Sequence, residues 1–560
     1  MVPLGLAGRG PGARRKELRQ RQSTLCLTPG PWPPARAARH VSRLLRSSLV
    51  AVACSSLVAV VAQAQRPASA YIPLDDPAAT IADALVVRGA LPSLSALERP
   101  YRAHDVRVAV EAAMADSARA RLVPSRWLGE VLRAAQRHDP AGAASDSTLH
   151  VSAELVPFVT AQSTGRRELM LADTAKGGAY PGADVRFALQ SPAFVGVSRL
   201  RLDRAMRADP EFVGKSDRVI AARVEDAYLA ARWRWAALDV GRVARNWGPA
   251  PLHGLQLGHY ADSYDHLQLV LGVDRLHLTT IAARLDDRRI APDTVAQRWF
   301  AAHRLAGRWR ALEMAVAEAV VYGGPARGFD LMLANPFGFY DLAQYDEHKS
   351  LNVSYAVDVA LRTKAHGTFA AQFLADDFQV DRCAVNCKEP PSFGGTLSVE
   401  GMPVPLPASA AAFGSYTRVD NLTYRTILPW ERWESLGLGL ARGQSDYDEL
   451  RAGVELAPPY GGPLRIYGAF RRQGEGDFHA EFPLPIQYAK TPEIFAGVVE
   501  RVRRVGAQWS TSGRLSFSGD VGWQSTSNAD HVPGRTRSGF EGRVKLSLTP
   551  ALGFSRTVSD

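Results

Sequence analysis

From about residue 147 to the end of the chain, apolar and polar side chains alternate with a period of two. In Leu149-His-Val-Ser-Ala-Glu-Leu155 the residues Leu149, Val151, Ala153 and Leu155 are separated by polar ones. Val353, Tyr355, Val357, Val359 and Leu361 alternate with Ser354, Ala356, Asp358, Ala360 and Arg362. Val544, Leu546 and Leu548 alternate with Arg543, Lys545, Ser547 and Thr549. Such a period belongs to half-buried strands. What it leaves open is which face is buried. A soluble sandwich turns its apolar face inward, whereas a membrane barrel turns it to lipid and keeps the polar face for the lumen.

Three features favour the barrel. An export signal precedes the strands, and no later apolar stretch is long enough for a spanning helix. The amphipathic region, 147–560, is longer than a typical sandwich. Its polar face is often charged, as at Arg362, Arg514, Asp520, Arg543 and Lys545. At about 10 residues per strand plus connections, such a region holds roughly 16 to 20 antiparallel strands.

The formal charge of +11 invites a nucleic-acid reading. Ten of the 67 basic residues, but one of the 56 acidic ones, lie in residues 1–64. The remainder carries 57 basic against 55 acidic residues, a net of +2, so no nucleic-acid partner is expected. Residues 1–64 read as a targeting segment with an N-terminal extension. His40–Arg46 is the positive part, Leu49–Ala62 the apolar run, and Ala62-Gln63-Ala64 the small-x-small cleavage pattern. The apolar run is shorter than the roughly 20 residues of a spanning helix. Removing this segment leaves two cysteines, Cys383 and Cys387. A single C-x3-C pair supplies two metal ligands and no nearby histidine completes a set, so a loop disulfide is the expected pairing in an exported chain.

Between leader and strands, residues 71–139 read as a small helical bundle. Asp76-Pro77 is a cap followed by proline, Ile81 and Leu85 share a face, and Gly89 is a terminator. A second helix is expected near Asp105, with Val106 and Val110 on one face. A third is expected after Ser125, where Trp127, Leu128, Val131, Leu132 and Ala135 form a stripe. A linker from Asp139 leads to the strands.

The stretch Gly241-Arg-Val-Ala-Arg-Asn-Trp-Gly-Pro249 ends one of those strands. Gly248-Pro249 breaks a ladder, and the preceding Arg242, Asn246 and Trp247 are expected at or just inside the barrel rim. There Arg242 can pair with a lumen carboxylate such as Asp239, Gly241 suggests a local bulge, and Trp247 can stack on a sugar or sit in an aromatic girdle. Trp430-Glu-Arg-Trp433 places two more aromatic faces beside planar polar groups, the combination that pyranose rings and their carboxylates require. Tyr340 and Tyr345 offer the same. Asp286-Asp287 and Asp376-Asp377 fall well short of a calcium ligand set. The sequence holds no HExxH, GxSxG or phosphate-loop motif, so neither enzyme chemistry nor a cofactor is expected.

Asp239-Val-Gly-Arg242 followed by Asn246-Trp-Gly-Pro249 resembles the signature of the capsule assembly Wzi family. Asn335-Pro336, Asn352-Val-Ser-Tyr-Ala-Val-Asp-Val359 and Phe373-Leu-Ala-Asp-Asp377 match in the same order. The resemblance implies an outer-membrane barrel of about eighteen strands with a helical bundle at its periplasmic end. It further implies a lectin-like protein, monomeric in outer-membrane lipid, that holds capsular polysaccharide at the surface. Arg242, Asn246, Trp247, Trp430 and Trp433 are then the candidate ligand residues. Departures occur at His253-Gly-Leu-Gln-Leu-Gly-His-Tyr260, where the family has serine and asparagine, and at the extension past Phe554. The alternative reading is a porin-like transport channel, which shares the polar lumen.

Overall fold

Side chains along each strand divide between two environments, and the division is the reverse of a soluble sandwich. Val357 is 41 % exposed and Trp523 57 %, while their neighbours Asp358 and Gln524 are 1 % and 3 % exposed. Apolar side chains face out and polar ones face in, which is the arrangement of a barrel bathed in lipid. These observations come from a computed structural model. It describes residues 67–140, 148–171, 177–215, 217–346, 350–364, 366–377, 390–406, 409–549 and 552–559. The leader expected in 1–64 and the expected Cys383–Cys387 bridge lie outside the described residues.

The main sheet is antiparallel throughout and closes on itself as an 18-strand barrel. Two strands run in two pieces: Leu276–Arg284 resumes as Arg288–Ala291, and Thr536–Leu548 resumes as Leu552–Ser559. Closure is made by the first strand, Thr148–Gln162. It pairs with Gly178–Gln190 on one side and with both pieces of the last strand on the other. The extension past Phe554 is therefore part of the ladder, with Val558 opposite Leu149. Short connections such as 274–275, 310–311 and 363–367 lie at one end, and the long ones, such as 243–264, 326–351 and 420–446, lie at the other, where the tight turn 292–293 is the exception. Outer-membrane barrels place short turns in the periplasm and long loops outside the cell.

Helices α1 (Pro77–Val87), α2 (Ala103–Ala115), α3 (Ser117–Ala120) and α4 (Ser125–His138) form the N-terminal unit. Asp76 caps α1, its Oδ1 accepting from the Ala78 amide at 2.9 Å, and Pro77 occupies the first turn. Gly89 ends it at φ +74°, the left-handed position that glycine tolerates. Helix α2 starts at Ala103, just ahead of the Asp105 start expected, and α3 is an element the periodicity does not announce. Ile81, Leu85, Val106, Val110, Trp127 and Val131 form one apolar cluster, which also takes in Ala360, Ala370 and Ala457 of the barrel wall. The helices therefore dock on the short-turn end.

From the opposite end, loops 243–264 and 420–446 fold down into the lumen. Trp247, Leu255, Leu257, Trp433 and Leu440 pack there against inward-facing Phe300, Ala302, Ala317 and Ala319. The two plugs meet. Glu98–Arg99 of the helical unit forms a short antiparallel ladder with Asn246–Trp247, and the Gly248 amide donates to the Leu97 carbonyl at 2.9 Å.

Candidate functional site

The Asp239–Pro249 stretch is built into the middle of the molecule rather than displayed at its rim. Asp239 faces the lumen and is buried. It accepts from Tyr71 Oη at 2.9 Å, from Arg102 Nη2 at 3.1 Å and from Gln268 Nε2 at 3.1 Å, with Arg245 Nη2 at 3.4 Å. The Tyr71 ring lies between Arg102 and Arg245, whose guanidiniums stand 4.5 and 4.6 Å from its centroid. This hub ties helical unit, wall and inward loop together.

Arg242 is not part of it. Its guanidinium is partly exposed and meets Asp265 through two bonds of 3.1 Å, correcting the expected pairing with Asp239. The geometric reason is that Asp239 faces inward while the strand ends at Arg242, opposite Asp265 on the neighbouring strand. The bulge expected at Gly241 is also absent: the register is unbroken on both sides. Glycine is required there for another reason. Its φ is +124°, and a Cβ would meet the Ala227 carbonyl oxygen at 2.2 Å.

The remaining expected ligand residues separate into two sets. Asn246 is fully buried and closes its own loop, donating to the Leu252 carbonyl at 2.9 Å and accepting from the Gly254 amide at 2.7 Å. Trp247 is 1 % exposed, with the Arg304 guanidinium 5.4 Å from its ring and Gln372 Nε2 donating to its carbonyl at 2.9 Å. Trp433 is equally buried, its Nε1 donating to the Gln256 carbonyl at 2.9 Å and its ring edge-on to Phe300. The expected rim position of Trp247 is thus corrected: neither Trp247 nor Trp433 has a free face for a sugar ring. Trp430 is half-buried in the same loop as Trp433, its carbonyl accepting from Arg298 Nε at 2.8 Å. Tyr340 is buried outside the barrel, and the side chain of Tyr345 lies outside the described residues.

Beside the plug, the lumen keeps a cavity of about 800 Å3 lined by charged and aromatic side chains. Arg471 reaches Glu168 at 2.7 Å and lies 4.0 Å over the Tyr447 ring. Arg451 covers the Tyr467 ring at 4.4 Å, and Tyr467 Oη donates to Asp520 at 2.7 Å. Arg504 joins Asp520 at 2.8 Å, and Arg167 joins Asp209 at 2.8 Å and Asp262 at 2.9 Å. From the helical unit, Asp75 meets Arg199 at 2.9 Å and also pairs with Arg201. Such planar pairs can exchange partners with hydroxyls or carboxylates of a ligand. Sequence reading missed this set because its strand members sit on ordinary lumen-facing positions, while Arg167, Glu168, Asp209 and Asp262 come from connections and Asp75 from the helical unit. Its signal is arginine and tyrosine on lumen-facing places, as at Arg465, Tyr467 and Arg471 in Leu464-Arg-Ile-Tyr-Gly-Ala-Phe-Arg-Arg-Gln473.

Two loop groups at the long-loop end carry shifted protonation. His479 stands between Asp477 (Nδ1, 2.9 Å) and Glu434 (Nε2, 3.1 Å), and these hydrogen bonds push it up to about 10. Burial raises the Glu431 carboxyl to about 7, against the opposing pull of the Ser350 hydroxyl at 2.8 Å and of Arg327. Among the described residues no group of three or more His, Cys, Asp or Glu is placed to hold a metal ion.

Lipid-facing apolar strands, a polar lumen and segregated turns and loops together define an outer-membrane β-barrel whose lumen is obstructed from both ends. No family model and no curated protein matches the chain. Among solved structures it is similar to Wzi, described as an outer membrane protein involved in group 1 capsule assembly in Escherichia coli and as a carbohydrate-binding β-barrel. That match has 12 % identity and a TM-score of 0.56, and it covers 86 % of this chain and 100 % of that one. The chain therefore shares the Wzi fold. OccK11 (OpdR) of Pseudomonas aeruginosa matches at 13 % identity and TM-score 0.39, over 73 % of this chain and 96 % of that one. OccD3 (OpdP) of the same organism matches at 10 % and 0.40, over 73 % and 91 %.

Proposed function

We propose that this protein is an outer-membrane barrel that binds capsular or other surface polysaccharide and holds it at the cell surface. The observation that carries this reading is the short ladder between Glu98–Arg99 and Asn246–Trp247. It joins a periplasmic plug to an extracellular one, an expensive feature for a channel and a useful one for a rigid binding platform. The shared fold with a protein described as carbohydrate-binding adds support. Trp430, the Arg242–Asp265 pair and the mouth of the charged cavity are the ligand contacts in this reading. Asn246, Trp247 and Trp433 hold the platform's shape. The role is binding, without catalysis or nucleic acid, by a monomer exported with cleavage near Ala64 and bridged at Cys383–Cys387.

The experiment pairs two measurements on the purified protein. In one, calorimetry against purified acidic capsular polysaccharide measures affinity for the native protein and for Trp430→Ala. In the other, planar bilayers report conductance. Binding weakened by Trp430→Ala, with no steady conductance, is the expected result. Steady ohmic conductance without polysaccharide affinity would replace this reading with the transport channel.

A further inference from the structure

Three polar side chains stand on the wrong face of the barrel. Along Leu312–Pro325 the exposed Met314 and Val316 fix the outward parity, and Glu318 shares it. Along Thr294–Trp309 the exposed Leu305 does so for His303, and along Asn352–Arg362 the exposed Val357 does so for Tyr355. The register sets these residues side by side, His303 opposite Glu318 and Glu318 opposite Tyr355. Counted from the short turn at Arg310, Glu318 lies roughly 27 Å along its strand at about 3.4 Å per residue, or roughly 21 Å above the turn once the strand's tilt is included. With strands tilted by about 40°, that height falls inside an apolar band about 25 Å tall. A carboxylate facing lipid there is destabilising.

It does not face lipid. Residues 326–346 leave the top of their strand and fold back down over the outside of the wall. Trp299 Nε1 donates to the Arg327 carbonyl at 3.2 Å, and the Asp330 amide donates to Tyr322 Oη at 3.2 Å. Lower down, helix α5 (Tyr340–Asp346) covers the polar row. The Asp341 amide donates to Glu318 Oε1 at 3.0 Å, and the Tyr340 ring lies 4.6 Å from that of His303. His303 Nε2 stands 3.1 Å from Glu318 Oε2, and the Tyr355 hydroxyl bonds to Glu318 and Asp341. Beneath the flap, Leu333, Tyr340 and Ala343 pack on Ala301, Val320 and Val353 of the wall.

The outer surface of this flap is apolar. Phe329, Leu331, Phe337, Phe339 and Leu342 are all exposed, between 46 % and 79 %. They lie above Leu305, Met314, Val316 and Val357, the lipid-facing residues of the same strands, so the flap continues the membrane-contacting wall upward. We infer that the segment Arg327–Gln344 is a membrane-embedded flap whose exposed face is inserted among the acyl chains of the outer leaflet, while its inner face seals the His303–Glu318–Tyr355 row from lipid. The occupant of this surface is lipid hydrocarbon. The inference rests on the barrel fold and is independent of polysaccharide binding.

Depth-dependent quenching tests it. In a background with the native cysteines replaced by serine, Phe337→Cys and Phe339→Cys are labelled with an environment-sensitive fluorophore, and the full barrel is reconstituted in phospholipid vesicles. Val316→Cys on the wall is the lipid reference, and Ile486→Cys, on an exposed loop at the long-loop end, is the aqueous reference. The flap labels should lose fluorescence to acyl-chain nitroxide lipids as the Val316 label does and resist aqueous iodide. Leu331→Cys serves if either phenylalanine variant fails to assemble. Iodide quenching at the level of Ile486→Cys overturns the inference. So does protection from both quenchers with a dimeric mass by native mass spectrometry, which would make the occupant a second copy of this chain.

Discussion

Trp247 donates its backbone amide to the Leu257 carbonyl, receives Gln372 on its own carbonyl and lies beneath the Arg304 guanidinium. Truncating a side chain so enclosed removes its transfer energy and leaves a cavity, together about 3–5 kcal/mol. Arg242 is the opposite case, a partly exposed ion pair with Asp265, worth about 0–1 kcal/mol. Trp247→Ala should therefore lower the temperature at which the barrel loses its compact, heat-modifiable migration, while Arg242→Ala leaves it almost unchanged. Equal shifts for the two variants would contradict the buried placement of Trp247. Glu431 supplies a second residue-scale expectation. Its folded-state carboxyl keeps its proton up to about 7, whereas an ordinary glutamate releases it near 4.5. Protonation is linked to the folded state, so this contribution is full below 4.5 and is lost as pH rises through about 7. Thermal midpoints of the native protein should fall across that window more than those of Glu431→Gln. Parallel pH profiles for the two proteins would refute the assignment.

At the scale of elements, the strands were legible because each one writes its two faces into the sequence with a period of two. Asp76-Pro77 and Gly89 announced α1 in the same local way. The inward course of loops 243–264 and 420–446 was not legible, since nothing near Trp247 or Trp433 specifies Leu97, Gln372 or Gln256 as partners. Those contacts span more than a hundred residues. The candidate site suffered most from this, because two of its three tryptophans turned out to be packing residues. His303 and Glu318 did leave a trace, as polar residues on apolar parity, but its meaning depends on the flap that covers them. The elements also predict how the lumen is blocked. Residues 71–139 fill the short-turn end and loop 243–264 comes down from the other, so each obstructs its own end of the lumen. Deleting 71–139 alone should raise single-channel conductance modestly, and shortening loop 243–264 in that background should raise it further. A full-sized pore after the first deletion would mean that the loop stays in place only by leaning on the helices.

On the scale of the whole molecule, the helical unit is wired into the wall around much of the circumference. Arg88 pairs with Glu455 at 2.8 Å, Arg102 with Asp239 at 3.1 Å and Asp75 with Arg199 at 2.9 Å. Arg362 donates to the Leu94 carbonyl at 2.8 Å, Thr368 to the Val87 carbonyl at 2.7 Å, and the Ser512 amide to Glu130 at 2.8 Å. Two of these pairs, Arg88–Glu455 and Arg102–Asp239, are buried on both sides, so undocking the helices strands them without partners. Each broken buried pair costs about 3–5 kcal/mol, comparable with the 5–15 kcal/mol that holds a whole domain folded. A unit held by two such pairs and by the hydrogen bonds around them cannot leave before the wall itself opens. The helices and the barrel should accordingly unfold in one transition. Heating in detergent, followed by brief proteolysis, should cleave the α1–α4 segment only at temperatures where heat-modifiable migration is also lost. Cleavage of the helices well below that temperature, with the barrel still compact, would show an independently folded domain and remove the basis for treating plug and barrel as one rigid platform.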